Sequence, residues 1–334
     1  MIGQASTKKY AMSLLITLGL GMALSLALLA LVITALNYAA PLFTATALRN
    51  LSRKLAGLQL RHMNVEGQSV PYLVGGQGTP LVMVHGFTAD KDTFNALARF
   101  LTPHFEVYAI DLLGHGDADR DHSADYSIDA QVARLKTLLS ALGLEKAHLG
   151  GSSMGGGVVA GYAAKYPHAV SSIWLIGAAA TQEAADSPLV KHYQATGEFP
   201  LMARTTREHV RKMAVITAKP LFVPYAVHKA LSVSGAQDYA LHKKILDTLI
   251  KVVPLEHRYS QVPTPALIIA GDQDQVIPTA SVHTLAKLFP NSQVSILKDI
   301  GHIPMTENAP QIARDYLAFR RGLTGLSGVT AGAT

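Results

Sequence analysis

Residues 146–167 read KAHLGGSSMGGGVVAGYAAKYP, an apolar run that stops at two adjacent serines and resumes as a stretch of small residues. The first part, KAHLGG, is short and apolar like a buried strand, and GGVVAGYAAKYP reads as the helix that follows it. Only one frame across the serines gives Gly-x-Ser-x-Gly, namely Gly151-Ser152-Ser153-Met154-Gly155; the other would need a glycine at position 154, where methionine stands. A nucleophile on a sharp strand-to-helix turn needs small neighbours, because the strained backbone brings flanking side chains close. Gly151, Gly155, Gly156 and Gly157 meet that need. The start of a helix beneath such a turn also supplies free N–H groups and a positive dipole end, where negative charge can develop. Ser153 is therefore the expected attacking residue and Ser152 a variable neighbour.

Outward from this turn, short Val-, Ile- and Leu-rich runs alternate with helical stretches. LVMVHG (81–86), FEVYAIDL (105–112), SSIWLIG (171–177), PALIIAG (265–271) and SQVSILKD (292–299) have the near-continuous apolar character of strands buried on both faces. DTFNALARFLT, IDAQVARLKTLLSALG, SVHTLAKLFP and APQIARDYLAFRR separate them at helical spacing. Such alternation predicts a parallel, doubly wound sheet, preceded by an antiparallel hairpin from residues 58–66 and 69–75. The alternation lapses over about residues 178–260, a stretch that reads as helical and apolar. An insertion of that kind into one crossover is what a cap over an active site looks like; the plainer alternative is a second core packed on the first. Residues 322–334, GLTGLSGVTAGAT, have no periodicity and are expected to be a disordered tail.

With these motifs in order, the chain resembles the α/β-hydrolase family over roughly residues 59–320. The resemblance implies that family's fold, a mostly parallel sheet flanked by helices with a helical cap. MVHGF (83–87) resembles the loop after the third strand, and the family assigns the backbone N–H groups of Phe87 and Met154 as the oxyanion hole. IDLLGHGDADR (110–120) resembles the loop after the next strand, where Asp111 and His115 read as turn formers and His85 as support for the neighbouring loop. Asp117 and Asp119 depart from the small or hydroxylated residues usual there, which puts the site mouth in question. After PALIIAG, GDQDQVIP offers Asp272 and Asp274; the family pattern selects Asp274 as the acid and leaves Asp272 as a turn residue. KDIGHIPMTENAP holds the expected base, His302. The chain order Ser153, Asp274, His302 is that of this fold.

The chemistry asks for these residue types. A serine hydroxyl is a poor nucleophile until a base takes its proton, and a carboxylate must hold the imidazole in the right tautomer. Phosphate-binding readings of the glycines fail, since no Gly-Lys-Ser/Thr follows and no acidic residue closes a dinucleotide unit. The 14 histidines are scattered without HExxH and there are no cysteines, so no metal site, no cofactor and no disulfide is expected.

The formal charge of +6 would suggest nucleic acid, but its location argues otherwise. Lys8, Lys9, Arg49, Arg53, Lys54 and Arg61 all precede the first acidic residue, Glu66, leaving 23 of the 29 basic residues to balance 23 acidic ones. The excess flanks residues 11–36, AMSLLITLGLGMALSLALLALVITAL, which carry no charge. As a helix this run reaches roughly 39 Å, ample for a hydrocarbon core of about 30 Å. A cleaved leader would have an apolar core of about 7–15 residues, so a retained single-pass anchor preceded by a flank (1–10) is the expectation, with no nucleic-acid partner. The charges on its two sides do not decide which side of the membrane the domain occupies. Gly19, Ala23 and Ala27 recur every four residues and would allow a homodimer through this helix, although such residues are common in membrane helices anyway. In the juxtamembrane segment (37–58), Leu48, Leu51, Leu55 and Leu58 recur at helical spacing between basic residues. They suggest an amphipathic helix on the membrane surface, or one packed on the globular domain.

The subgroup most similar in HGFTADKDTF, DYSIDAQVARL, GSSMGG, GDQDQV and GH comprises membrane-anchored monoacylglycerol lipases and bacterial anchored lipases and phospholipases. The resemblance implies hydrolysis of lipid acyl esters: monoacylglycerols, lysophospholipids or phospholipids. Met202, Met213, Leu221 and Phe222 of the cap are the expected acyl-chain contacts. Two alternatives stay open: an anchored hydrolase of a soluble substrate, such as a C–C bond hydrolase or aminopeptidase, and a non-catalytic binding protein.

Overall fold

The computed structural model describes residues 2–329. Helix α1 (Ile2–Ala39) runs into α2 (Pro41–Leu55) through a break at Ala40. Pro41 causes the break: its ring pushes the preceding residue out of helical geometry, and Ala40 sits at φ −131°, ψ 58°. Met12–Ala39 is long and apolar enough to cross a membrane, with a mean hydropathy of 2.5, and is not buried in the molecule. The space beside Gly19 is open.

Helix α2 packs on the globular domain, one of the two roles expected for it. Leu51 and Leu55 face outward, while Arg53 points into the domain and is only 7% exposed. Its guanidinium grips Asp92 with two 2.6 Å bonds, one from Nε and one from Nη2. Arg53 thus drops out of the basic collar expected around the span. Helix α2 packs against a cap helix, and the rest of the stripe ends in buried Ala56 and Leu58.

The globular part begins with the expected hairpin, β1 (Gln59–Val65) and β2 (Gln68–Gly75), paired antiparallel. Then follow β3 (Thr79–Val84), α3 (Asn95–Leu101), β4 (Phe105–Ile110), α4 (Ile128–Ala141), β5 (Ala147–Ser152), α5 (Met154–Lys165) and β6 (Val170–Ile176). Five helices stand between β6 and the next strand: α6 (Gln182–Ala185), α7 (Pro188–Thr196), α8 (Thr206–Ile216), α9 (Tyr225–Gln237) and α10 (Tyr239–Leu249). The chain closes with β7 (Ala266–Gly271), α11 (Ser281–Leu288), β8 (Ser292–Leu297), α12 (Pro304–Glu307) and α13 (Ala309–Val329). Helix α13 continues past Gly322, where a tail was expected, and Leu323 packs on the core; residues 330–334 lie outside the described residues.

The eight strands form one sheet in the order β1-β2-β4-β3-β5-β6-β7-β8. Strand β2 runs antiparallel to β1 and β4, and every pair from β4 to β8 is parallel. Successive residues of a strand point to opposite faces, so an apolar run feeds two cores at once. On β6, Ile173 and Leu175 join α4, α5 and α11, while Trp174 and Ile176 join α3 and α13. Because β3, β5, β6 and β7 are parallel, their carboxyl ends open onto one edge. The loops after them converge there, in the crevice where ligands bind in open α/β sheets.

Candidate active site

Ser153 sits at that edge, between β5 and α5, with φ 53° and ψ −120°. A non-glycine residue rarely holds a positive φ, and the surrounding hydrogen bonds enforce it here. The Ser153 N–H donates to the Ile176 carbonyl at 2.9 Å, and its carbonyl accepts from the Ala179 N–H at 2.9 Å. Of the two serines, Ser152 is buried at 3% exposure and Ser153 is partly accessible.

Asp274 and His302 meet, with His302 Nδ1 lying 2.8 Å from Asp274 Oδ2. The other carboxylate oxygen, Oδ1, accepts the N–H groups of Val276 and Ile277 at 2.8 and 2.9 Å. An acceptor-only carboxylate on Nδ1 assigns the proton to that nitrogen and leaves Nε2 as the basic one. Asp272, by contrast, is exposed. The segment after β6 joins the pair to the serine. A Cβ on Gly177 would lie 3.2 Å from His302 Nδ1 and 3.3 Å from Asp274 Oδ2, while Ile176 and Ala179 on either side bond Ser153. On the other flank, a Cβ on Gly86 would stand 3.0 Å from the Ser153 Cβ.

Gly86 belongs to the loop after β3. Among the described residues, no acceptor takes the N–H of Phe87 or of Met154. His85 braces this loop: its Nδ1 donates to the Gly86 carbonyl at 2.8 Å and its Nε2 accepts the Leu112 N–H at 3.0 Å. Both bonds need the neutral ring, and burial holds its pKa below the usual histidine range. His115 is more than a turn former. It is buried, and its ring stacks on His242 of α10 at 5.1 Å, both rings lying against Phe87. Burial keeps this pair uncharged, pushing His242 down to about 4, so the wall behind Phe87 is a neutral one.

The two unusual aspartates have structural partners. Lys91 is 1% exposed, and its ammonium lies 2.5 Å from Asp111 Oδ2 and 2.6 Å from Asp117 Oδ2. A buried ammonium needs such partners, and Asp117 supplies the second. Asp119 accepts the Ser69 N–H at 2.8 Å and ties the loop to the hairpin. Reading GHGDADR alone misses this, because Lys91 stands 26 residues before Asp117.

The cap contacts divide. Met213 joins a cluster with Leu201, Ile216, Val276 and Ile277, beside the Asp274 loop. Met202 and Leu221 are half-buried. Phe222 is 93% exposed, so it does not line the site; it stands in the connection between α8 and α9, outside the packed cluster. A surface cavity of about 930 Å³ lies elsewhere, lined by Asp129, Lys243, Lys244, Asp247, Lys251 and Arg258, and none of Ser153, Asp274 and His302 borders it.

Comparisons with known proteins agree with this architecture. Lipase 1 of Psychrobacter immobilis is 33% identical over 274 residues, covering 80% of this chain and 86% of its own. The monoacylglycerol lipase ABHD6 of Homo sapiens is 30% identical over 286 residues, covering 80% and 84%. A crystal structure of a bacterial membrane phospholipase A superposes with a TM-score of 0.82 at 31% identity, covering 91% of this chain and 98% of that one. Residues 79–309, more than half of the chain, match the family described as alpha/beta hydrolase fold, and the chain belongs to that family.

Proposed function

We propose that this protein is a membrane-anchored serine hydrolase that cleaves the acyl esters of lipids, with monoacylglycerols, lysophospholipids and phospholipids as the substrate class. The observation that carries the reading is the 2.8 Å contact between His302 Nδ1 and Asp274 Oδ2, placed beside a serine held at a positive φ. In this reading His302 Nε2 takes the Ser153 proton as Oγ attacks the acyl carbonyl. Asp274 keeps the proton on Nδ1 and stabilises the imidazolium. The N–H groups of Phe87 and Met154 receive the developing oxyanion, assisted by the positive end of α5. His302 then protonates the leaving alcohol, and water, activated by the same nitrogen, hydrolyses the acyl-enzyme.

Three features support a lipid substrate at a bilayer: the unburied apolar stretch Met12–Ala39 of α1, the outward leucines of α2, and the lipase and phospholipase names of the relatives. An anchored domain meets lipid at high local concentration. The test is labelling of the full-length protein by a fluorophosphonate probe, together with lipid analysis of membranes incubated with wild type and Ser153→Ala. Labelling at Ser153 and a loss of at least about three orders of magnitude in hydrolysis are expected, because the three groups act as a unit. An unlabelled Ser153, or activity surviving in the variant, rules the reading out.

A further inference from the structure

The C-terminal half of helix α8 reaches two loops beside the site, from positions one turn apart. In the middle of the helix, Lys212 Nζ donates to Thr88 twice, to Oγ1 at 2.8 Å and to the carbonyl at 3.2 Å. Thr88 follows Phe87 directly and holds φ 55°, a left-handed conformation that a β-branched residue adopts only under constraint. Its hydroxyl proton is already committed to the Leu201 carbonyl at 3.1 Å, so Oγ1 has lone pairs left only to accept. One turn further on, the Ile216 carbonyl accepts the backbone N–H of His302 at 2.8 Å. Glu307 closes this end by accepting the Ala218 N–H at 2.8 Å and the Gly301 N–H at 2.9 Å. Positions 212 and 216 are four apart and share one helix face.

We propose that Lys212 is a positioning residue: through Thr88 it holds the loop that presents the Phe87 N–H, making α8 a strut that sets the oxyanion loop and the His302 loop relative to each other. This rests on the roles given above to Phe87 and His302. Lys212 would touch neither substrate nor nucleophile. Its chemistry suits the task, since a charge-assisted donor to two acceptors on one residue fixes both the carbonyl and the side chain of a strained turn. The ammonium occupies this place at a cost, because burial pushes its pKa down to about 8 against the raising influence of Asp90. Apolar packing alone would not require a cation at this position.

The experiment uses full-length protein in detergent micelles, with p-nitrophenyl butyrate as a soluble ester and fluorophosphonate end-points to count working sites. Lys212→Met, similar in length and suited to burial, is expected to lower kcat per labelled site about ten- to a hundredfold, as misplacement of a catalytic group does. KM should stay within about twofold, and the rate of phosphonylation should fall in parallel, since the same loop receives the phosphoryl oxygen. A merely structural role would reduce the number of labelled sites and leave kcat per site unchanged. Thr88→Val removes the hydroxyl link while keeping the shape. If Lys212 acts through Thr88, the double variant is no slower than the slower single one. Unchanged kcat per site in Lys212→Met, or fold-effects that multiply in the double variant, overturns the strut. Wild-type protein that does not label at Ser153 refutes the proposed function instead, which keeps the two failures distinct.

Discussion

Gly155→Ala tests whether the glycines around Ser153 are clearance or simply flexible filler. A Cβ at this position would stand 2.2 Å from the Val84 carbonyl oxygen and 2.4 Å from that of His85. Both obstacles are backbone, at the end of the strand that carries Gly86 and Phe87, so no side-chain rotation relieves them. Reaching an ordinary contact requires a displacement of about 1 Å between α5 and the loop after β3, and misplacement on that scale costs up to ~100-fold in rate. Overpacking against backbone falls at the upper end of its usual range, about 3 kcal/mol, and the better helix propensity of alanine offsets about 1, for a net loss of about 2 kcal/mol. At about 2.1 cal/mol/K per residue over roughly 270 residues, this lowers Tm by about 3–4 °C. Gly161→Ala on the same helix is the control: its Cβ would first meet a side chain, Val132 Cγ2, at 3.2 Å, which can give way. The measurements are the second-order rate of fluorophosphonate labelling and the thermal midpoint of each variant. Labelling of Gly155→Ala within about threefold of wild type would show that the glycine gives no needed clearance, because a shift of about 1 Å of a proposed oxyanion donor costs far more than that.

Other outcomes are expected away from the elbow. Lys91→Met leaves Asp111, whose side chain is fully buried, without its ammonium and should destabilise the protein by about 3 kcal/mol in urea unfolding, the lower end for a broken buried pair because two backbone N–H groups still serve that carboxylate. Asp90 is pushed up to about 7, by burial first and then by the charges of Asp92 and Asp111. The folded state therefore binds a proton that the unfolded state has released, and this stability, full below about pH 4, is lost as pH rises through 7. Asp90→Asn should match wild type near pH 4 and exceed it in Tm at pH 8; equal midpoints at pH 8 would contradict this. Phe222 stands three residues before Tyr225, which stacks on Tyr38 at the end of α1 at 5.1 Å. In a bilayer its side chain should contact lipid. Phe222→Trp, reconstituted with brominated lipids, should show strong quenching over the low background of the single native tryptophan, the buried Trp174. Absence of quenching at every bromine depth would place this loop away from the membrane.

Most of the sheet was legible because its signal is local. Strands buried on two faces read as apolar runs, helices as periodic ones, and each predicted strand lies within about two residues of the observed one. The Gly-x-Ser-x-Gly frame and the proposed acid after β7 and base after β8 are local too, since each is a side chain at the end of a strand. Phe222 was misread because hydrophobicity says that a side chain prefers burial, not which way its loop turns. Arg53 was read as part of a surface collar because its partner, Asp92, stands 39 positions away. Lys212 gave no signal at all: it is one of several basic residues on a polar-looking cap helix until the fold lays that helix across Thr88, 124 positions earlier in the chain.

The order of elements, the switch from strand to helix at Ser153 and the apolar span that precedes the domain are all written in local pattern. These follow from backbone propensity and side-chain period over a few residues. Which charges are buried in pairs, which face of α2 meets the domain and which cap residue reaches the loop beside the serine emerge only in the folded chain. Those depend on pairing between segments distant in the chain, where desolvation makes an ammonium or carboxylate hold a specific partner, and no local pattern encodes that partner.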